Sequence, residues 1–125
     1  MTNGKRILAI DDNLMMLDLF EKMLSENYEI HTVHSASNGL NFMNANQVDA
    51  ILLDIEMPNI SGFDFLYDIR KIPSYFDVPI IIVSGNSGED FFREAKSSSA
   101  FAVLTKPVRK DQLIETIEKA LAASG

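Results

Sequence analysis

The 125-residue chain carries 18 acidic and 11 basic side chains, a formal net charge of −7, with 46% hydrophobic and 23% charged residues and no cysteine. That is enough chain to bury the core of one domain, and the acidic balance argues against binding nucleic-acid phosphates. The lack of thiols excludes disulfides, thiolate metal sites and cysteine nucleophiles, and no apolar run is long enough to span a bilayer.

The predicted elements alternate along the chain. Arg6–Ile10 (RILAI) reads as a short first strand. The apolar stretch after Met1–Arg6 is brief and backed by Asp11 and Asp12, unlike a signal peptide, so a cytoplasmic protein is expected. Asn13 is a candidate N-cap for a helix in which Leu14, Met16, Leu17, Phe20, Met23 and Leu24 recur at helical spacing. Glu29–His34, with β-branched residues, reads as a second strand. A weaker helix follows over Ser37–Ala45, then a third strand over Asp49–Leu53. Met57-Pro58-Asn59 and Ser61-Gly62 carry turn chemistry. Ser61–Ile72 then reads as a helix, with Ser61 and Asp64 as a capping box and Phe63, Leu66 and Ile69 on one stripe, stopped by Pro73. Pro79–Val83 is the most apolar strand. The next helix, Ser87–Lys96, opens on a second capping-box pattern, Ser87 with Asp90. Ala102–Thr105 is the fifth strand, and Lys110–Ala123 the last helix, with Leu113, Ile114, Ile117 and Leu121 facing inward.

Strict alternation means parallel strands joined by right-handed helical crossovers. Continuous apolar strands, in place of period-two alternation, fit strands covered on both faces. The expected architecture is α/β: one domain over residues 1–125, a doubly wound, five-stranded parallel sheet with helices on both faces. No internal repeat, linker or low-complexity segment interrupts it.

The chemistry lies at the carboxyl ends of the strands. Strand one ends in Asp11-Asp12, strand three in Asp54, strand four in Ser84-Gly85 and strand five in Lys106-Pro107. In a parallel sheet these ends share one edge, where ligands bind. Carboxylates about 5 Å apart repel by roughly 3 kcal/mol per pair at an effective dielectric of about 20, and a divalent cation relieves this. Hard oxygen ligands select magnesium, manganese or calcium over zinc, and few protein ligands with open water positions favour magnesium. A phosphate oxygen there would meet the Lys106 ammonium and the Ser84 hydroxyl, and a carboxylate can accept a phosphoryl group.

On Asp11-Asp12, Asp54 with Met57-Pro58 and Gly62, Ser84-Gly85 and Lys106-Pro107, the chain resembles the receiver domain of two-component response regulators, similar to single-domain chemotaxis and sporulation regulators. The resemblance implies a flavodoxin-like fold with strand order 2-1-3-4-5. It implies Asp54 as phosphoacceptor from a histidine kinase or phosphotransfer protein. Magnesium, with manganese as an alternative, would be held by Asp12, Asp54 and the backbone carbonyl of Glu56, with Asp11 acting through water. Lys106 and Ser84 would bind the phosphoryl oxygens, and the bond to Pro107 would be cis. The output would be a shifted surface on the fourth helix, fifth strand and fifth helix that a downstream target protein reads. No reaction on a further substrate, no direct nucleic-acid contact and no membrane contact are implied.

Departures from the family pattern are also visible. Val103 stands where the family usually carries an inward-swinging aromatic, and Phe101 lies two residues earlier, so this half of the switch is expected to differ. Ser99 stands where the family often has glycine, so helix four should lack the left-handed stop. Glu56 and Asn86 occupy positions that tune phosphoryl lifetime in the family.

Singly, each feature is ordinary: an acid pair at a helix start, a turn carboxylate, a surface lysine. Four matched strand ends together are not. His31 and His34 read as strand residues with one or both rings exposed, the helical methionines as core filler. Adjacent Phe91 and Phe92 cannot both face the core, so one should be partly exposed and available to a partner. An aspartyl phosphatase of the haloacid-dehalogenase type needs its nucleophile after strand one in an Asp-x-Asp pattern. A flavodoxin-like cofactor binder needs a phosphate cradle where Asp11-Asp12 would repel it. The chain stops just after the last helix, which favours a free-standing regulator over the receiver part of a longer one with a DNA-binding or enzymatic output.

Overall fold

Five strands form one parallel sheet in the order β2-β1-β3-β4-β5. In chain order the elements are β1 (Arg6–Ile10), α1 (Leu14–Leu24), β2 (Glu29–Val33), α2 (Ala36–Ala45), β3 (Ala50–Asp54), α3 (Gly62–Arg70), a 3-10 turn at Pro73–Tyr75, β4 (Ile80–Ser84), α4 (Glu89–Ser97), β5 (Ala102–Thr105) and α5 (Lys110–Ser124). The computed structural model describes residues 3–58 and 60–124. Asn59, placed in the predicted turn, lies outside the described residues.

The apolar strands are buried because helices cover both faces. On one face Leu8, Ile10, Ile51, Leu53, Ile80 and Ile82 pack with Met43 of α2, Phe63, Leu66 and Ile69 of α3 and Phe91 of α4. On the other Ile7, Ala9, Leu52, Ile81 and Val83 pack with Leu17, Phe20 and Leu24 of α1 and Leu113 and Ile117 of α5. Each fully buried aliphatic side chain contributes about 1.5–3 kcal/mol, so both layers are needed to hold the sheet.

Register brings the strand ends level. Ile10 pairs with Leu53, Asp54 with Val83 and Ser84 with Thr105. The Lys106 N–H continues the ladder to the Ser84 carbonyl at 2.8 Å, and the Lys106–Pro107 bond is cis.

Caps explain most helix starts. The Asn13 side chain accepts from the N–H groups of Met15 and Met16, and the Ser61 hydroxyl oxygen from Asp64 N–H. Several boundaries differ from expectation by a residue or two; α3, for example, ends at Arg70 and not at Ile72, and three others have a visible local cause. Helix α2 starts earlier because Ser35 is its cap. Asp49 lies outside β3, where its carboxylate accepts from Arg6 N–H at 2.8 Å. Ser87 does not cap α4: Gly88 is the N-cap, without a side-chain bond. The reason is local competition. The Asp90 carboxylate, which the box would place on the Ser87 N–H, pairs with Arg93 at 3.0 Å, while Asn86 Oδ1 accepts the Gly88 N–H. Leu14, expected on the apolar stripe of α1, is instead exposed.

Helix α4 does stop without a left-handed residue. Ser98 is extended, with φ −81° and ψ 175°. Serine hydroxyls serve the terminal carbonyls instead: Ser98 donates to Ala95 at 2.6 Å, and the single Ser97 proton has a choice of the Arg93 and Glu94 carbonyls, each 3.1 Å away. Gly62 is required for close approach, since a Cβ there would lie 2.4 Å from the Ile55 carbonyl oxygen.

Candidate functional site

Asp54 ends the central strand β3 and is 4% exposed. Its Oδ1 accepts the N–H of Glu56 at 2.9 Å. Asp11, the residue after β1, is fully buried; its Oδ1 accepts the Asn13 N–H at 2.9 Å. Lys106, the residue after β5, reaches across the edge with its ammonium 3.1 Å from Asp11 Oδ2 and 3.7 Å from Asp54 Oδ2. Asp12 is exposed at the rim. Carboxylate oxygens of Asp11, Asp12 and Asp54 all lie within 4.8 Å of one another. Residues separated by up to 95 positions thus share one cluster.

The electrostatics are undercompensated. One ammonium faces two buried carboxylates. Burial pushes the Asp54 carboxyl up to about 6; the Glu56 amide and Lys106 oppose this, and Asp11 adds to it. Further positive charge would be stabilised here. An all-oxygen donor set with one exposed member suits a hard divalent cation that keeps water ligands.

Ser84, at the end of β4, is fully buried. Its hydroxyl donates to Glu56 Oε1, which also accepts the N–H groups of Gly85 and Asn86, each at 3.0 Å. These donors, the Ser84 hydroxyl first, hold the Glu56 carboxyl below the usual range. The sequence points to the Glu56 side chain only as a neighbour of attacking water that tunes phosphoryl lifetime; its hold on the Ser84 hydroxyl and the turn amides is not read there. The available signal was an acid two residues past Asp54, facing a Ser-Gly-Asn turn rich in donors.

The two switch candidates separate. Val103 is half-buried in β5, opposite Ile82, and packs against the core. Phe101 precedes the strand, is 42% exposed and bonds through its N–H to Ile80. That end of β5 is the opposite sheet edge from Ser84, about 13 Å along the strand. There Phe101 lines a cavity of about 470 Å3 with Arg70, Phe76 and Ser99. Of the other residues singled out, Phe91 is buried against Phe63 and Phe92 is partly exposed. Neither histidine joins the acidic cluster among the described residues; His31 pairs with Glu29 and stacks near Phe42. Met43 and Met57 are core, Met16 and Met23 pack at its margin, and Met15 is exposed.

A profile of the family described as "Response regulator receiver domain" matches residues 7–118. The chain is 31% identical, over 94% of its length, to the transcriptional regulatory protein GlrR of Escherichia coli K12, and covers 26% of that protein. It is 32% identical, over 95% of its length, to the cell cycle transcriptional regulator CtrA of Caulobacter vibrioides, and covers 51% of it. The chain therefore spans between about a quarter and about half of these relatives. Among solved structures it is similar to a CheY-like response regulator receiver domain protein from Methanospirillum hungatei JF-1. The TM-score is 0.89 and the identity 28%, covering 98% of this chain and 97% of that one.

Proposed function

This chain belongs to the response regulator receiver domain family, and from that membership we propose that Asp54 accepts a phosphoryl group from a phosphohistidine on a sensor histidine kinase or histidine phosphotransfer protein. One observation carries the reading: the Lys106 ammonium and the carboxylates of Asp11, Asp12 and Asp54 form a single cluster on one sheet edge.

The chemistry follows from the charges. A carboxylate oxygen of Asp54 attacks phosphorus in line; the P–O bond forms as the P–N bond breaks, and the electron pair leaves on the imidazole nitrogen. Lys106 neutralises the phosphoryl oxygens, and the Ser84 hydroxyl donates to one of them. Asp12, Asp54 and the Glu56 carbonyl would hold magnesium, or manganese in its place, with Asp11 acting through water. When bound, the ion neutralises charge on the phosphoryl oxygens. Asp11 also keeps Lys106 in place, through the contact at 3.1 Å.

The chain catalyses its own phosphorylation and slow dephosphorylation and acts on no further substrate. The added charge is read by Ser84 and Lys106, which favour one arrangement of the turn after β4. The surface of α4, β5 and α5 shifts with it and binds a downstream target protein. Exposed Leu14 and Met15, in the first turn after Asp11-Asp12, give the phosphodonor an apolar rim to dock on. Direct nucleic-acid binding by this domain is disfavoured by the −7 charge. No helix among the described residues is long and apolar enough to cross a membrane, and a cytoplasmic place of action follows from a cytoplasmic phosphodonor. A second form of the reading, the receiver part of a longer regulator, is favoured by the greater length of GlrR and CtrA; the site works alike in both.

Incubation with magnesium and acetyl phosphate, followed by intact mass, should add one phosphoryl group to the wild type and none to Asp54→Asn. An unmodified wild type under these conditions and with a phosphohistidine donor would refute the proposal.

A further inference from the structure

The turn after β4 already holds an anion, and that anion is part of the chain. Glu56 Oε1 accepts from the Ser84 hydroxyl and from the N–H groups of Gly85 and Asn86. The Asn86 N–H is shared with Ser84 Oγ at 3.0 Å. Resting on the receiver reading, we propose that the Glu56 carboxylate is an internal latch: it occupies the donors of the β4–α4 turn in the unphosphorylated chain and is displaced when a phosphoryl group forms on Asp54.

The competition is stoichiometric. A serine hydroxyl has one proton and donates to one acceptor at a time. Ser84 therefore serves either Glu56 or the phosphoryl group. The two acceptors are also like charges on neighbouring residues of one loop, so each disfavours the other's presence. Asp54 and Glu56 are linked by the bond from the Glu56 N–H to Asp54 Oδ1, which fixes the loop so that the Glu56 side chain reaches across to β4. Glu56 is exposed overall, so water screens the latch and keeps it weak enough to release. A two-state turn of this kind makes the active arrangement a minor population at rest. The apparent affinity for a phosphoryl group is lowered by the same fraction.

Two substitutions separate this from simple repulsion. Glu56→Ala removes charge and reach together. Glu56→Asp keeps the charge but is one methylene shorter, so it cannot span to Ser84, Gly85 and Asn86. Two measurements apply: hydrogen exchange of the Gly85 and Asn86 amides without ligand, and affinity for beryllofluoride, a tetrahedral phosphoryl analogue, with magnesium present. Both variants should exchange these amides about tenfold faster than the wild type and bind the analogue about tenfold more tightly, as expected for lost charge-assisted hydrogen bonds. If Glu56→Asp behaves as wild type while Glu56→Ala binds more tightly, repulsion alone is at work and the latch is wrong. Equal binding by all three chains overturns the latch and leaves the receiver reading standing; no binding by any of them overturns both.

Discussion

The Lys106 ammonium lies closer to Asp11, at 3.1 Å, than to Asp54, at 3.7 Å. At rest the lysine therefore serves the carboxylate that does not react, and leaves the reacting one short of positive charge. It is already within reach of the oxygens that a phosphoryl group on Asp54 would bring.

Removing that lysine should expose the imbalance. Lys106→Met leaves Asp11 and Asp54 buried without a cation. Urea denaturation at pH 7 should show a loss of about 2–4 kcal/mol, smaller at pH 5, where Asp54 is mostly protonated. Phosphorylation by acetyl phosphate should fall below detection. An unchanged urea midpoint at pH 7 would contradict the charge assignment.

Asp54 supplies the converse case. Its carboxyl is raised from 3.8 to about 6. Between about pH 4 and pH 6 the folded chain holds a proton that the unfolded chain has released, so stability falls as pH rises through that window. The penalty is complete by about pH 7 and absent below about pH 4. Asp54→Asn should therefore stabilise the metal-free protein at pH 7.5 by about 1–2 kcal/mol, raising Tm by several degrees. The gain should vanish at pH 4. Magnesium should raise Tm of the wild type and not of Asp54→Asn.

Gly62 tests the loop that carries Ile55 and Glu56. A methyl group there would sit 2.4 Å from the Ile55 carbonyl oxygen and 2.5 Å from its Cα. These are backbone atoms and cannot swing aside. Gly62→Ala should cost about 2–4 kcal/mol in thermal or chemical denaturation, although the residue has no side chain to lose.

Arg70 tests the opposite edge. Its guanidinium donates to Ser99 Oγ at 2.8 Å, the Ser99 carbonyl at 3.0 Å, the Tyr75 carbonyl at 3.0 Å and the Val78 carbonyl at 2.5 Å. Partial burial pushes its pKa down, yet guanidinium stays protonated at any ordinary pH. A lysine cannot reproduce this fork. Arg70→Lys should lose about 1–3 kcal/mol and speed hydrogen exchange at Ser99–Phe101, leaving phosphorylation of Asp54 intact.

Much of this was legible along the chain because parallel sheets separate structure from chemistry. Buried strands must be continuously apolar, so Ile51–Leu53 and Ile80–Val83 announced themselves, and a polar residue ending such a run stands out. Asp11, Asp54, Ser84 and Lys106 were found that way. The Ser87 capping box failed because the pattern cannot report that the Asp90 carboxylate, which would take the Ser87 N–H, pairs with Arg93 instead. The start of β5 at Ala102 was legible, but which surroundings Phe101 meets just before it was not: its exposure and its cavity at the far edge depend on Arg70 and Phe76 from other elements.

Amino-acid order alone determined the alternating elements, the two-sided core and the identities of the groups at the strand ends, since hydrophobic periodicity and turn chemistry are local properties. Only the tertiary structure decided which acceptor each donor takes. Lys106 chooses Asp11 across 95 residues, and Ser84 chooses Glu56 across 28. Such choices turn on tenths of an ångström between groups from different strands, which register and loop geometry set and no local pattern encodes.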